Sequence, residues 1–278
     1  MAEIAQQARA CGLTGEAVHI GVVHAAVLLA DRRPNEALRE MKLITRDLGD
    51  LMRKPDDSTL TATCDFAVLS MDLGMHGVSE TWLGRIADER DRLGSHTWTL
   101  RELSAYERLR VELGLSYIYL EHEDEAVSQF RRAALLGRTM VERSSEEVWR
   151  CTGVAFEMLA SALLGTSART PLRQCPPRSD VFSRAGEQAR CLMLIALAQA
   201  AAVEGSVAGA LRLALGAYRS TDNAGLALLS IELNRLVACT TRELGDKDNA
   251  AEHDRQWRRR WSAYEWSARL RTAEFLAG

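Results

Sequence analysis

The chain has 278 residues, 47% of them hydrophobic but only 6% aromatic, and a formal net charge of −3. That composition supports a packed core, excludes a disordered or fibrous chain, and lacks the basic balance of a general nucleic-acid binder. Ala- and Leu-rich segments favour closely packed helices over strands. No apolar run reaches the roughly 18–20 residues of a membrane span. The opening Met1-Ala2-Glu3-Ile4-Ala5 also lacks the basic-then-apolar layout of a secretory signal. A cytoplasmic protein without membrane or nucleic-acid partners is therefore expected.

In chain order, small residues that would let two helices approach closely recur at Ala25, Ser70, Gly114, Ala155, Ala198 and Ala238, about 40–45 residues apart. Each marks the first helix of an antiparallel pair. Second helices are predicted over Pro34–Leu48 (with Ala37, Met41 and Ile44 inward), Ser79–Leu93 (Trp82, Ile86), Glu123–Arg138 and Ser206–Arg219 (Ala210, Ala214, Ala217), with a long one from Asp248. Gly49, Gly94, Gly137, Gly205 and Gly245 stand where these periodic runs should stop. Ser144-x-x-Glu147 has the spacing of a capping box at the start of the fourth pair. The fourth pair departs from the pattern: residues 165–180 carry three of the five prolines, so its second helix is expected to be shortened, displaced or replaced by a loop.

The third pair shows the pattern most fully. Leu113-Gly114 is followed by Tyr117, then Ala126, Phe130 and Ala133. Gly114 and Ala126 are small enough for two helices to touch, Tyr117 and Phe130 fill the space beside the contact, and His122-Glu123-Asp124-Glu125 supplies a polar turn and an acidic helix start. This stretch resembles a tetratricopeptide repeat, except that Arg110 stands where the family often has Trp. The resemblance implies an all-α fold, an α–α superhelix (solenoid) of about six antiparallel helix pairs. The chain is then expected to form one continuous domain over 1–278.

In such a fold the first helix of each pair lines the concave side. The side chains expected to face it include Arg108, Val111, Leu115, Trp149, Phe156, Gln199 and Arg235, mostly apolar, with polar groups towards the C-terminal end (Gln199, Glu232, Arg235 and Arg242). The Lys/Arg/Asn clamp of a groove for acidic peptide tails is missing. Such a surface would take an apolar helix, a hydrophobic peptide or a small apolar ligand. Tight winding would instead bury the same residues as core.

Residues 248–276 contain neither Gly nor Pro, a length about twice that of an ordinary helix. Trp257, Trp261, Tyr264, Ala268 and Phe275 fall on one stripe, and Trp266, Leu270 and Ala273 on a neighbouring line. Arg255, Arg258, Arg259 and Arg260 cover another side, interleaved with Glu252, Asp254 and Glu265, which is the mark of a solvated face. With its Arg269-Leu270-Arg271-Thr272-Ala273-Glu274 ending, this helix resembles the one that closes the tetratricopeptide sensor regions of actinobacterial diguanylate cyclases. The cyclase's own Gly-Gly-Asp-Glu-Phe signature is absent. The resemblance implies a regulatory module whose last helix, through Trp257, Trp261, Tyr264 and Phe275, transmits a signal or forms a homodimer. A capping helix over the last repeat accounts for the same residues.

No phosphate loop, dinucleotide fingerprint, nucleophile elbow or zinc spacing occurs. The six cysteines and six histidines are dispersed, so neither a metal nor a cofactor is expected. Two functions follow. One is a non-catalytic sensor that couples a bound protein, peptide or small ligand to an output domain or dimer partner. The other is a constitutive protein-interaction scaffold.

Overall fold

The structure, a computed structural model, describes residues 1–92, 98–165, 187–221 and 227–277. Among them are twelve helices and no strand: α1 (Ala2–Ala10), α2 (Thr14–Ala30), α3 (Pro34–Leu51), α4 (Asp57–Asp72), α5 (His76–Arg92), α6 (Leu100–Tyr119), α7 (Glu123–Arg143), α8 (Glu147–Leu163), α9 (Glu187–Val203), α10 (Val207–Thr221), α11 (Ala227–Glu243) and α12 (Lys247–Leu276). Consecutive helices pack as pairs, the arrangement of an all-α superhelical fold. The expected second helices are present, and α1 is an additional one. Gly94 and the proline-rich 166–180 stretch, Cys175 included, lie outside the described residues.

The same tight turn joins the helices of successive pairs. One residue takes a left-handed conformation at Gly12, Arg32, Gly74, Glu121, Gly205 and Gly245. The amide that follows it reaches back to close the preceding helix: Leu13 N to Ala8 O, Arg33 N to Leu28 O, Met75 N to Ser70 O, His122 N to Tyr117 O, Ser206 N to Ala201 O and Asp246 N to Thr241 O. These bonds satisfy carbonyls that a helix end leaves bare. Arg32 and Glu121 hold this conformation despite carrying a Cβ, so Glu121→Gly should raise stability by about 1 kcal/mol in a urea titration.

Gly205 and Gly245 end their helices as expected, but Gly49 and Gly137 lie inside α3 and α7. A Cβ on Gly49 would meet nothing within 4 Å, so this glycine is simply carried within the helix. A Cβ on Gly137 would lie 2.7 Å from the Gly153 carbonyl oxygen of α8 and 2.6 Å from Glu107 Oε1, so this glycine serves a close approach of two backbones. A capping box closes the start of α6: Thr99 accepts from Glu102 N at 3.2 Å while its own N–H donates to Glu102 Oε2 at 2.7 Å. Ser144 Oγ accepts from the Glu146 N–H and donates to its carbonyl, and the Glu147 side chain of the expected box lies outside the described residues.

Packing divides the chain into two compact units, Met1–Ala105 with Glu265–Gly278, and Tyr106–Tyr264. In the first, Ala37, Met41 and Ile44 of α3 are buried with Val18, Val22 and Ala25 of α2. Phe66 of α4 meets Trp82 edge-on at 5.5 Å and Phe275 at 6.2 Å. In the second, Val111 and Leu115 of α6, Phe130 of α7, Phe156 of α8, Ile195 of α9, Ala214 of α10 and Leu233 of α11 form one hydrophobic cluster. All six small residues expected at the helix contacts are buried. No described helix is long and apolar enough to cross a membrane.

Candidate functional site: a buried polar cluster beneath the last helix

The second unit brings together four polar side chains from three helices, α6, α9 and α11. Glu232 on α11 is fully buried, yet its carboxylate accepts four hydrogen bonds. Arg235, one turn on, donates Nε to Oε2 at 2.8 Å and Nη2 to Oε1 at 2.6 Å. Gln199 Nε2 of α9 donates to Oε1 at 3.0 Å, and the Tyr119 hydroxyl of α6 donates to Oε2 at 2.8 Å. A buried carboxylate is tolerable only when paired and fully bonded, and this one is. Burial and the Glu232 carboxylate together push the Tyr119 phenol well above its ordinary range, which keeps it a hydrogen-bond donor. The same carboxylate holds the Arg235 guanidinium charged.

Tyr119 also carries the contact to α12. Its ring stacks on Trp257 at 5.9 Å and lies tilted against Trp261 at 4.6 Å, and Trp261 stacks on Tyr264 at 6.0 Å. Aromatic contacts of this geometry each add about 0.5–1.5 kcal/mol beyond area burial. Arg260 Nη1 adds a bond to Ser230 Oγ of α11 at 3.0 Å, and Arg242 pairs with Asp254. One tyrosine thus faces a buried ionic cluster with its hydroxyl and the aromatic stripe of α12 with its ring.

Three of the residues expected to face the groove, Gln199, Glu232 and Arg235, belong to this cluster, and Trp257, Trp261 and Tyr264 roof it. Phe275 packs on Phe66 in the first unit instead. Val111, Leu115 and Phe156 are corrected from groove to core. Each sits inside the hydrophobic cluster, because the helices approach too closely to leave an open apolar floor there. Arg108 is half-buried and pairs with Glu112 at 2.7 Å, and Trp149 is half-buried near the start of α8. Tyr119 was not a candidate site residue on sequence grounds, since only tertiary packing joins it to Glu232, 113 residues away.

A second buried carboxyl lies on α6. Glu107 is 0% exposed, and neither oxygen has a hydrogen-bond partner among the described residues. Burial pushes it well above the ordinary carboxylate range, and the Glu157 carboxylate adds to the effect. Glu157 itself accepts from Arg138 Nε at 3.2 Å and Nη2 at 3.1 Å. Because the folded state prefers the protonated form of Glu107, its contribution to stability is intact below the unfolded carboxylate range and is lost as pH rises through the raised value. Glu107→Gln should therefore gain on the order of 1 kcal/mol over the wild type near neutral pH, and melting curves from pH 4.5 upward should fall less steeply.

In the first unit, a cleft lined by His19, Asp56, Ser58 and Thr59 has a volume of about 230 Å³. That is below the roughly 300–1,000 Å³ of typical ligand pockets. Burial pushes the Cys64 thiol up to about 12, with Asp65 and Glu102 acting in the same direction, which leaves it unreactive. No group of three or more metal-ligating side chains occurs among the described residues. No protein-family model matches the chain, and no curated protein matches it significantly.

Proposed function

We propose that the chain is a non-catalytic regulatory module whose helix pairs bind a protein or peptide, and whose last helix passes the bound state to an output domain or a partner. One observation supports this reading above the others: the Tyr119 ring stacks on Trp257 and Trp261 while its hydroxyl bonds Glu232. Any event that shifts α9 or α11 moves Gln199, Glu232 or Arg235, and Tyr119 delivers that shift to α12. Saturation of Glu232 by four bonds leaves it no free lone-pair geometry for general-base work, which agrees with a non-catalytic role. The tetratricopeptide and sensor-helix resemblances support the same reading by analogy.

A constitutive interaction scaffold is the second reading. It is favoured by the inward packing of Trp257, Trp261 and Tyr264, the behaviour of a cap. Hydrogen exchange along α12 separates the two. In Tyr119→Phe, the regulatory reading expects faster exchange from residue 247 through 276. Exchange that changes only over residues 247–264 would leave a cap and favour the scaffold.

A further inference from the structure

The half of α12 that follows Tyr264 presents a second apolar line, and this one is uncovered among the described residues. Trp266 is 71% exposed and Leu270 57%, Ala273 and Ala277 are exposed too, and Leu276 beside them is 74% exposed. The spacing from Trp266 to Leu270, Ala273 and Ala277 is four, three and four residues, the interval of a coiled-coil seam. The inward contacts of this stretch lie on other positions: Phe275 on Phe66, and Arg271 Nη1 donating to the Leu73 carbonyl at 3.2 Å. A helix held by one face with a seam-spaced apolar line on another is a helix with a vacant partner position.

The charges beside the seam select the partner. With Leu270 and Ala277 at one core position and Trp266 and Ala273 at the other, Arg269 and Glu274 take the two flanking positions, five residues apart. In a parallel two-stranded coil these are the positions that pair between helices, so Arg269 of one copy meets Glu274 of the other, twice by symmetry. Arg269 has a 73% exposed side chain and, among the described residues, bonds along its own helix to Glu265, a surface contact that is cheaply exchanged. A recess of about 220 Å³ bounded by Trp266, Arg269 and Leu270 gives a facing side chain somewhere to seat. We infer that the chain forms a parallel homodimer through Trp266, Leu270 and Ala273 of α12 and Ala277 directly after it, with register set by Arg269–Glu274 pairs between copies.

This deepens the regulatory reading by naming what the last helix meets, and the two fail separately. A dimer whose distal exchange ignores Tyr119→Phe sinks transmission alone, and transmission in a strict monomer sinks the dimer alone. Sedimentation of the full chain over the micromolar range is the test. The wild type should be a dimer and Trp266→Glu a monomer of unchanged helicity, since an exposed side chain is replaced. Arg269→Glu and Glu274→Arg should each weaken association by about tenfold, and the two together should restore it. A monomeric wild type would overturn the inference, as would a dimer indifferent to Trp266→Glu. Charge swaps that fail to restore one another would overturn the parallel register.

Discussion

Gly114→Ala is expected to cost about 1–3 kcal/mol, and a larger side chain at Gly114 to prevent the second unit from folding. A Cβ at this position would lie 2.4 Å from Cε1 of Phe130 and 2.8 Å from two further ring atoms. Phe130 cannot yield, because its ring is fully buried in the cluster with Val111, Leu115 and Phe156. The clash is therefore relieved only by moving α6 from α7 or by forcing the ring off its rotamer. Two companions identify the cause. Gly114→Ala combined with Phe130→Leu should recover part of the loss, since the smaller side chain opens room for the methyl. Gly216→Ala on α10, where a Cβ would meet nothing within 4 Å, should be neutral or stabilise by about 0.5–1 kcal/mol, the ordinary helix-interior preference. Urea titrations of the four variants measure all of this.

Arg235→Ala is expected to cost about 2–3 kcal/mol and to loosen α9, α11 and the first half of α12 together. The loss comes less from the missing guanidinium, which is 34% exposed and partly hydrated, than from what remains. Glu232 would keep its charge in a fully buried position with only the Tyr119 and Gln199 bonds. Glu232→Gln in the same chain removes that stranded charge, so the double variant should be more stable than Arg235→Ala alone. If Arg235→Ala costs no more than an ordinary surface change, the cluster is not holding these helices.

Much of the helical layout was legible because it depends on local patterns. Inward stripes at helical spacing placed α3, α5, α7 and α10, and the small residue at each helix contact marked the partner helix. The Leu113–Ala133 spacing marked Gly114 and Ala126 as the close contact with Tyr117 and Phe130 beside it, and in the structure it is Phe130 that faces Gly114. Local signals misled where one residue type serves two purposes. Gly137 reads as a stop signal but makes room for the α8 backbone.

The site was legible only in halves. Gln199, Glu232 and Arg235 stood out as polar groups at inward positions, and the Trp257–Tyr264 stripe stood out as something that must be covered. That Tyr119 joins the two is a property of packing across 113 residues, and no periodicity encodes it. The burial of Val111, Leu115 and Phe156 follows likewise from how closely the helices approach, which the identity of the residues leaves open. Unpartnered Glu107 had no sequence signal, since a glutamate on a helix normally faces water.

The central claim is that Tyr119 couples the Glu232 cluster to α12, and a double-mutant cycle between Glu232→Gln and Trp261→Leu measures it most directly. The two side chains have no direct bond and communicate through the Tyr119 hydroxyl and ring. The account predicts a coupling of about 0.5–1.5 kcal/mol in unfolding free energy, reduced towards zero when the cycle is repeated in Tyr119→Phe. Strict additivity in the wild-type background, or a coupling that survives unchanged in Tyr119→Phe, would contradict it.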